Sequence, residues 1–167
     1  MTLEALFEDL EASLERSCPI TAAQITAKAN HLSVIARNQM RFSLVAPILA
    51  KDFVVGLDEQ TADWLCILKS QIAELRFSSE ADASLPTTRT RSLTLEQFLG
   101  EMPMPISIAF KTAQPEVRFA AIVAVGDGLL FLRTRSEQVV AFAIDSIEFF
   151  RIIETADKNE LQEWRAR

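Results

Sequence analysis

The chain contains no Tyr, a single His, two Cys and only four Gly in 167 residues. Each scarcity closes off a class of function. One His beside two Cys that form no C-x-x-C pair cannot complete a familiar zinc set, so no metal or cofactor is expected. His31 has no informative Ser-His-Asp or Cys-His spacing around it, and it reads as a boundary residue, not a base. The 17 Lys and Arg form no long basic run and the net charge is −6, which disfavours general affinity for nucleic acid. No apolar run approaches a bilayer-spanning length; the longest, 120–132, is broken by Gly126-Asp127-Gly128. Met1-Thr2-Leu3-Glu4 lacks the basic flank and apolar stretch of a signal peptide, so a cytoplasmic location is expected.

What is present is apolar mass. Hydrophobic residues make up 49% of the chain, and the aromatics are 11 Phe and 2 Trp. Phe has no polar tip, so this skew favours dry core filling. Cys66, inside Trp64-Leu65-Cys66-Ile67-Leu68, reads as a small core residue, and Cys18 precedes a proline at the predicted end of a helix.

Leu3, Leu6, Phe7, Leu10 and Leu14 share one face of a helix predicted over 2–16, and the Ala-rich segment 22–31 is read as a second short helix. From Leu32 the period changes. The runs 32–35, 42–45, 53–55 and 64–68 are β-prone and separated by short turns. Residues 78–93 are poor in apolar residues and read as a linker, in which Arg89-Thr90-Arg91-Ser92 is a solvated segment. Thr94-Leu95-Glu96-Gln97 is a capping box that opens a short helix with the stripe Leu95, Phe98, Leu99 and Met102. Strands are predicted over 106–110, 117–125, 129–132 and 139–143, and a terminal helix over 157–165. Gly126-Asp127-Gly128 is a tight hairpin turn and not a phosphate loop, since no Lys follows and a strand, not a helix, comes next.

The second half repeats the first in pattern. Met40-Arg41-Phe42 matches Val117-Arg118-Phe119, Phe53-Val54-Val55 matches Leu129-Leu130-Phe131, and the block 70–76 matches 145–151. The fold class expected is therefore mainly β with short helices (α+β), built as two helix-plus-small-antiparallel-barrel repeats. The first occupies residues 1–77, a linker covers 78–93, and the second, with a C-terminal helix, covers 94–167.

The series Ile122, Val125-Gly126-Asp127-Gly128, Leu130, Leu132, Val139-Val140, Ala143-Ile144 and Ile147 resembles the strand layout of Sm-like and other SH3-like small barrels. Residues 138–147 are similar in shape to the closing strands of the bacterial Sm-like RNA chaperone. The whole chain resembles a group of uncharacterised actinobacterial proteins, which implies a fold and no activity. PRC-type barrels, which often dock on proteins, fit nearly as well. The RNA chaperone carries a Lys-His pair where this chain has Phe142-Ala143, and Lys69 stands at the position matching Ile144 with no His beside it. The RNA-contacting residues therefore do not carry over.

The functional expectation is a non-catalytic interaction module that binds an as yet unidentified protein partner, with no membrane contact and with the halves sharing an interface or the chain forming a homodimer. The alternative is an Sm-like RNA-binding protein. Its anion contacts would be Arg41, Arg76, Arg118 and Arg151, paired as Arg41 with Arg118 and Arg76 with Arg151. Neighbouring Glu74, Glu116 and Glu148 offset their charge.

Overall fold

The β-prone runs do form strands. The computed structural model describes residues 29–78 and 88–155 of the chain. In the first half the strands are β1 (His31–Ala36), β2 (Arg41–Leu49), β3 (Phe53–Asp58), β4 (Trp64–Leu68) and β5 (Ile72–Ser78). A two-residue strand, β6 (Arg89–Thr90), and a helix, α1 (Leu95–Gly100), lead into the second half. There the strands are β7 (Ile106–Lys111), β8 (Val117–Gly126), β9 (Leu129–Arg133), β10 (Val139–Ala143) and β11 (Phe149–Thr155). A 3₁₀ turn precedes the last strand of each half, at Lys69–Gln71 and at Ile144–Ser146. The helices predicted over 2–16 and 157–165 and Cys18 lie outside the described residues. Of the helix predicted over 22–31, only the last three residues are described; His31 among them opens β1.

The expectation of two helix-plus-barrel repeats is overturned. All eleven strands belong to one open sheet, in the order β10-β9-β8-β7-β11-β4-β3-β2-β1-β5, with β6 paired in parallel to β2. Every other pair is antiparallel. The reason lies in β4 and β11. These strands pair with each other across the halves, Phe150 with Cys66, Arg151 with Leu65 and Ile152 with Trp64. This ladder turns two would-be closed units into one continuous sheet. Short apolar strands and tight turns show in a sequence; the partner of each edge is a long-range property that they do not encode.

The centre of the sheet is buried on both faces, which explains its unbroken apolar runs. One cluster takes Phe53, Val55, Cys66, Leu68, Phe110, Leu130, Phe150 and Ile152. The other takes Leu32, Val34, Phe42, Leu44, Val54, Leu65, Ile67 and Phe149. Neighbours in sequence, such as Leu65 and Cys66 or Phe149 and Phe150, enter opposite clusters, as the period-two alternation of a strand requires.

Helix α1 closes the first cluster. The Thr94 hydroxyl accepts from the Gln97 N–H while the Gln97 side chain accepts from the Thr94 N–H, so the predicted capping box is complete. Asp52 Oδ1 accepts a further bond from the Leu95 N–H at 2.8 Å. Leu95, Phe98, Leu99 and Met102 are all buried, and the Phe98 ring stacks on Phe53 at 5.3 Å. Each such side chain contributes about 1.5–3 kcal/mol by leaving water.

The described end of the predicted linker joins the sheet. Arg89 and Thr90 pair with Ile48 and Leu49, Thr88 is buried, and the Arg91 N–H donates to the Leu49 carbonyl at 2.8 Å. The hairpin at 126–128 forms as expected: Asp127 and Gly128 have φ of 55° and 73°, the left-handed pair that a two-residue turn demands.

Candidate functional site

The four arginines singled out by sequence divide into two kinds. Arg41 and Arg76 are brought together. They line one open groove of roughly 250 Å³ with Ser33, Ile35, Ser43 and Gln60, on the face formed by β1, β2 and β5. Both side chains are exposed. Arg76 Nε donates to Glu74 Oε1 at 2.6 Å. That hydrogen bond, with the charges of Arg76 and Arg41, holds the Glu74 carboxyl below its ordinary range. The same bond holds the Arg76 guanidinium pKa up. The groove therefore carries two cations and one offsetting carboxylate.

Arg118 and Arg151 are half-buried. The Arg118 guanidinium lies 5.1 Å from the Phe110 ring centre and 5.0 Å from that of Phe142, and its Nη2 donates to the Thr112 hydroxyl at 3.3 Å. Arg151 lies 5.2 Å from the Phe149 ring centre and donates from Nη2 to Asp58 Oδ2 at 3.1 Å. The Nε of each arginine is buried without a hydrogen-bond partner. Both side chains act as cations held between aromatic faces and not as open anion contacts. Glu148, expected to offset an arginine, instead accepts from Lys111 Nζ at 2.7 Å and from the Asn38 amide at 2.6 Å.

The pairing of these arginines between halves is also resolved by register. Arg76 stands opposite Ser33 and Arg151 opposite Ala109, each the fifth residue beyond its 3₁₀ turn, so these two hold equivalent positions in the two halves. Arg41 stands opposite Ile35, whereas Arg118 stands opposite Phe110, the partner of Val34 in ladder position. Arg118 therefore matches Phe42, one residue along from Arg41. A shift of one residue exchanges the faces of a strand, which is why Arg41 points to solvent and Arg118 inward.

His31 is a buried polar link. Its Nε2 lies 3.1 Å from the Ser43 hydroxyl and 3.3 Å from Glu59 Oε1, and its Nδ1 lies 3.2 Å from the Ser78 hydroxyl. Ser43 and Ser78 belong to the strands on either side of β1, so the ring bridges three strands. Among the described residues no three His, Cys, Asp or Glu side chains gather as a metal-binding group. No helix among them is long and apolar enough to cross a membrane. Cys66 is a free thiol, and burial pushes its pKa up, away from the reactive thiolate.

A second groove, of roughly 280 Å³, was not visible in the sequence. It is lined by Ser107, Phe119, Ala121, Arg133, Arg135 and Ile153, among others. Phe119 is 52% exposed and Ile153 is 49% exposed, and the Arg135 guanidinium lies 5.6 Å from the Phe119 ring centre. Sequence placed Phe119 in a strand; its outward direction depends on the register of β8 against β7, where it faces Ala109.

No family model, no curated protein and no solved structure matches the chain.

Proposed function

We propose that the chain is a non-catalytic protein-interaction module whose docking surface is the groove around Phe119. The supporting observation is the exposure of Phe119 on β8 and Ile153 on β11, the two strands that flank β7, where both line one groove. Arg133 and Arg135 border the groove, with Glu137 3.8 Å from Arg133. The partner that fits is a peptide segment with an apolar anchor for the Phe119–Ile153 floor and an acidic flank for the arginines. Selection of displayed peptides against the folded chain tests this. The expected binders shift the resonances of Phe119, Ala121 and Ile153, and lose about tenfold in affinity, ~1.4 kcal/mol, against Phe119→Ser. Binders that map elsewhere, or none at all, overturn the reading.

RNA binding is the second reading, and one observation favours it: Arg41 and Arg76 share a groove. Its contacts are now two in place of four. Titration of labelled single-stranded RNA against salt should then give a log–log slope of about −1.4, from two phosphates at roughly 0.7 each. Arg41→Ala combined with Arg76→Ala should abolish it. Absence of binding at low salt removes this reading.

We also infer that the halves arose by internal duplication. The strand orders β5-β1-β2-β3-β4 and β11-β7-β8-β9-β10 are equal, and a three-residue 3₁₀ turn precedes the last strand in both. The likeness to Sm-like proteins is proposed on that strand order alone. A cytoplasmic location is proposed as well, and what supports it is that no helix among the described residues is long and apolar enough to cross a membrane.

A further inference from the structure

The apolar floor of the Phe119 groove has no counterpart in the first half of the chain. Phe119 faces Ala109 as Ser43 faces Ser33, so Phe119 stands where the first half has Ser43. By the same register Ser107 stands where the first half has His31. In the first half this pair is polar and joined, with the Ser43 hydroxyl 3.1 Å from His31 Nε2. The sheet is thus built equally well with a small polar residue at this position. The exposed ring of Phe119 answers to something that lies over the sheet.

The chain itself supplies a segment for that floor. Strand β11 carries Ile153, a residue of the groove, and ends two residues later at Thr155. Glu154 pairs with Ser107, which also lines the groove, so the chain leaves β11 at the groove's rim. Residues 156–167 read Ala-Asp-Lys-Asn-Glu-Leu-Gln-Glu-Trp-Arg-Ala-Arg. Leu161 and Trp164 are the large apolar residues, at a spacing that sets two side chains on one face of a helical turn. Asp157, Glu160 and Glu163 precede Trp164 against a single cation, Lys158. An apolar anchor beside acidic residues is the chemistry that Phe119, Ile153, Arg133 and Arg135 fit.

The reach is sufficient. Phe119 faces Ala109, Thr155 faces Ile106, and β8 is the second strand from β11. Phe119 is therefore about 10 Å from Thr155 along the strands and about 10 Å across them. Leu161 lies six residues beyond Thr155, and six extended residues span about 20 Å. A segment tethered this closely meets the groove at an effective concentration on the order of millimolar, so modest complementarity is enough to seat it.

We propose that residues 156–167 occupy the Phe119 groove of their own chain, with Leu161 and Trp164 on its floor, and that a partner peptide binds by displacing them. The inference rests on the reading of this groove as a docking surface and adds its regulation: the chain carries its own competitor.

The test compares the full chain with Leu161→Ser combined with Trp164→Ser, circular dichroism checking that the fold is kept. The substitutions are expected to move the amide resonances of Phe119, Ala121 and Arg133, all distant in sequence from the altered residues. A synthetic peptide of residues 156–167 is then expected to return those resonances toward their original positions, and to fail when Phe119→Ser is added. Glu160→Lys with Glu163→Lys keeps both apolar side chains and is expected to move the same resonances in the same direction. Displayed peptides that map to the groove should bind the Leu161→Ser, Trp164→Ser chain about tenfold tighter than the unmodified one, as for a groove filled nine-tenths of the time. Unmoved groove resonances in both variants, or a synthetic peptide that shifts nothing in the groove, overturn the proposal. Groove-binding displayed peptides of equal affinity for both chains overturn it too, while leaving the docking reading in place. If no displayed peptide maps to the groove of either chain, it is the docking reading that falls, and displacement by a partner falls with it.

Discussion

Arg151 Nη2 donates to Asp58 Oδ2 at 3.1 Å, and this bond ties the end of β3 to β11 across the two halves of the chain. The Asp58 side chain is 2% exposed and that of Arg151 is 18% exposed. The other Asp58 oxygen accepts from the Gln60 N–H at 3.0 Å, so the buried carboxylate is satisfied on both sides. The arginine lies against the Phe149 and Phe42 rings, at 5.2 and 5.8 Å. The junction of the halves is thus held by an ion pair set in aromatic surroundings as well as by the β4–β11 ladder.

Removing the cation alone should be costly. Arg151→Met leaves the Asp58 charge buried without its partner, and the expected loss is about 3–5 kcal/mol in urea unfolding. The double variant Asp58→Asn with Arg151→Met should regain part of that loss, because no uncompensated charge remains. A loss below about 1 kcal/mol for Arg151→Met would show that the carboxylate reaches water, against the geometry described.

The cap of α1 makes a smaller prediction. Thr94→Ala removes the acceptor of the Gln97 N–H and should cost about 1 kcal/mol. Asp52→Ala removes the acceptor of the Leu95 N–H and should cost a similar amount. Phe98→Ala, by contrast, empties the site stacked on Phe53 and should cost about 3–5 kcal/mol. Equal effects from Thr94 and Phe98 would mean that α1 is held by its end and not by its buried face.

Two glycines should respond oppositely to a methyl group. A Cβ on Gly56 would lie 2.9 Å from the Leu44 Cβ, so β3 must shift, and Gly56→Ala should cost about 1–3 kcal/mol. A Cβ on Gly126 would meet nothing within 4 Å, and Gly126→Ala should stay within about 0.5 kcal/mol of the parent chain. Thermal unfolding of the two variants side by side decides the matter.

The strands were legible because their signals are local. Trp64–Leu68 and Val139–Ala143 form with the bounds their β-prone residues suggested, and the capping box at Thr94 is satisfied as read. Two elements of the repeat, β5 and β11, were legible only as matching blocks and not as strands. Ile72–Ser78 places Glu74 and Arg76 on its exposed side, and Phe149–Thr155 opens with two Phe that enter different clusters, so neither shows a simple one-sided pattern. The junction of the halves was not legible at all, because it depends on which edge β11 meets. The site arginines show the same limit. Arg41 and Arg118 sit beside a Phe in both halves, yet a one-residue difference in register sends the first to solvent and the second between Phe110 and Phe142.

Cys66 offers a direct probe of that junction. It pairs with Phe150 in the β4–β11 ladder and is fully buried, with its pKa pushed up by burial. Thiol reagents attack the thiolate, so the native chain should protect Cys66 on two grounds, access and ionisation. In a Cys18→Ser background Cys66 is the single thiol of the chain, and labelling then reports on its exposure alone. At neutral pH the folded protein should react slower than the same chain in denaturant by a factor on the order of 10³ or more, the scale of cooperative opening. When opening and reclosing outpace the reagent, the labelling rate follows the open population. Arg151→Met, by weakening the same junction by about 3 kcal/mol, should then speed labelling roughly a hundredfold. Thr94→Ala acts on α1, whose Leu95 and Phe98 lie in the same cluster as Cys66, and at ~1 kcal/mol should speed it no more than about fivefold. Labelling of the folded chain at the rate of an exposed thiol would mean that β4 and β11 part readily, and that the halves are joined by something other than this ladder.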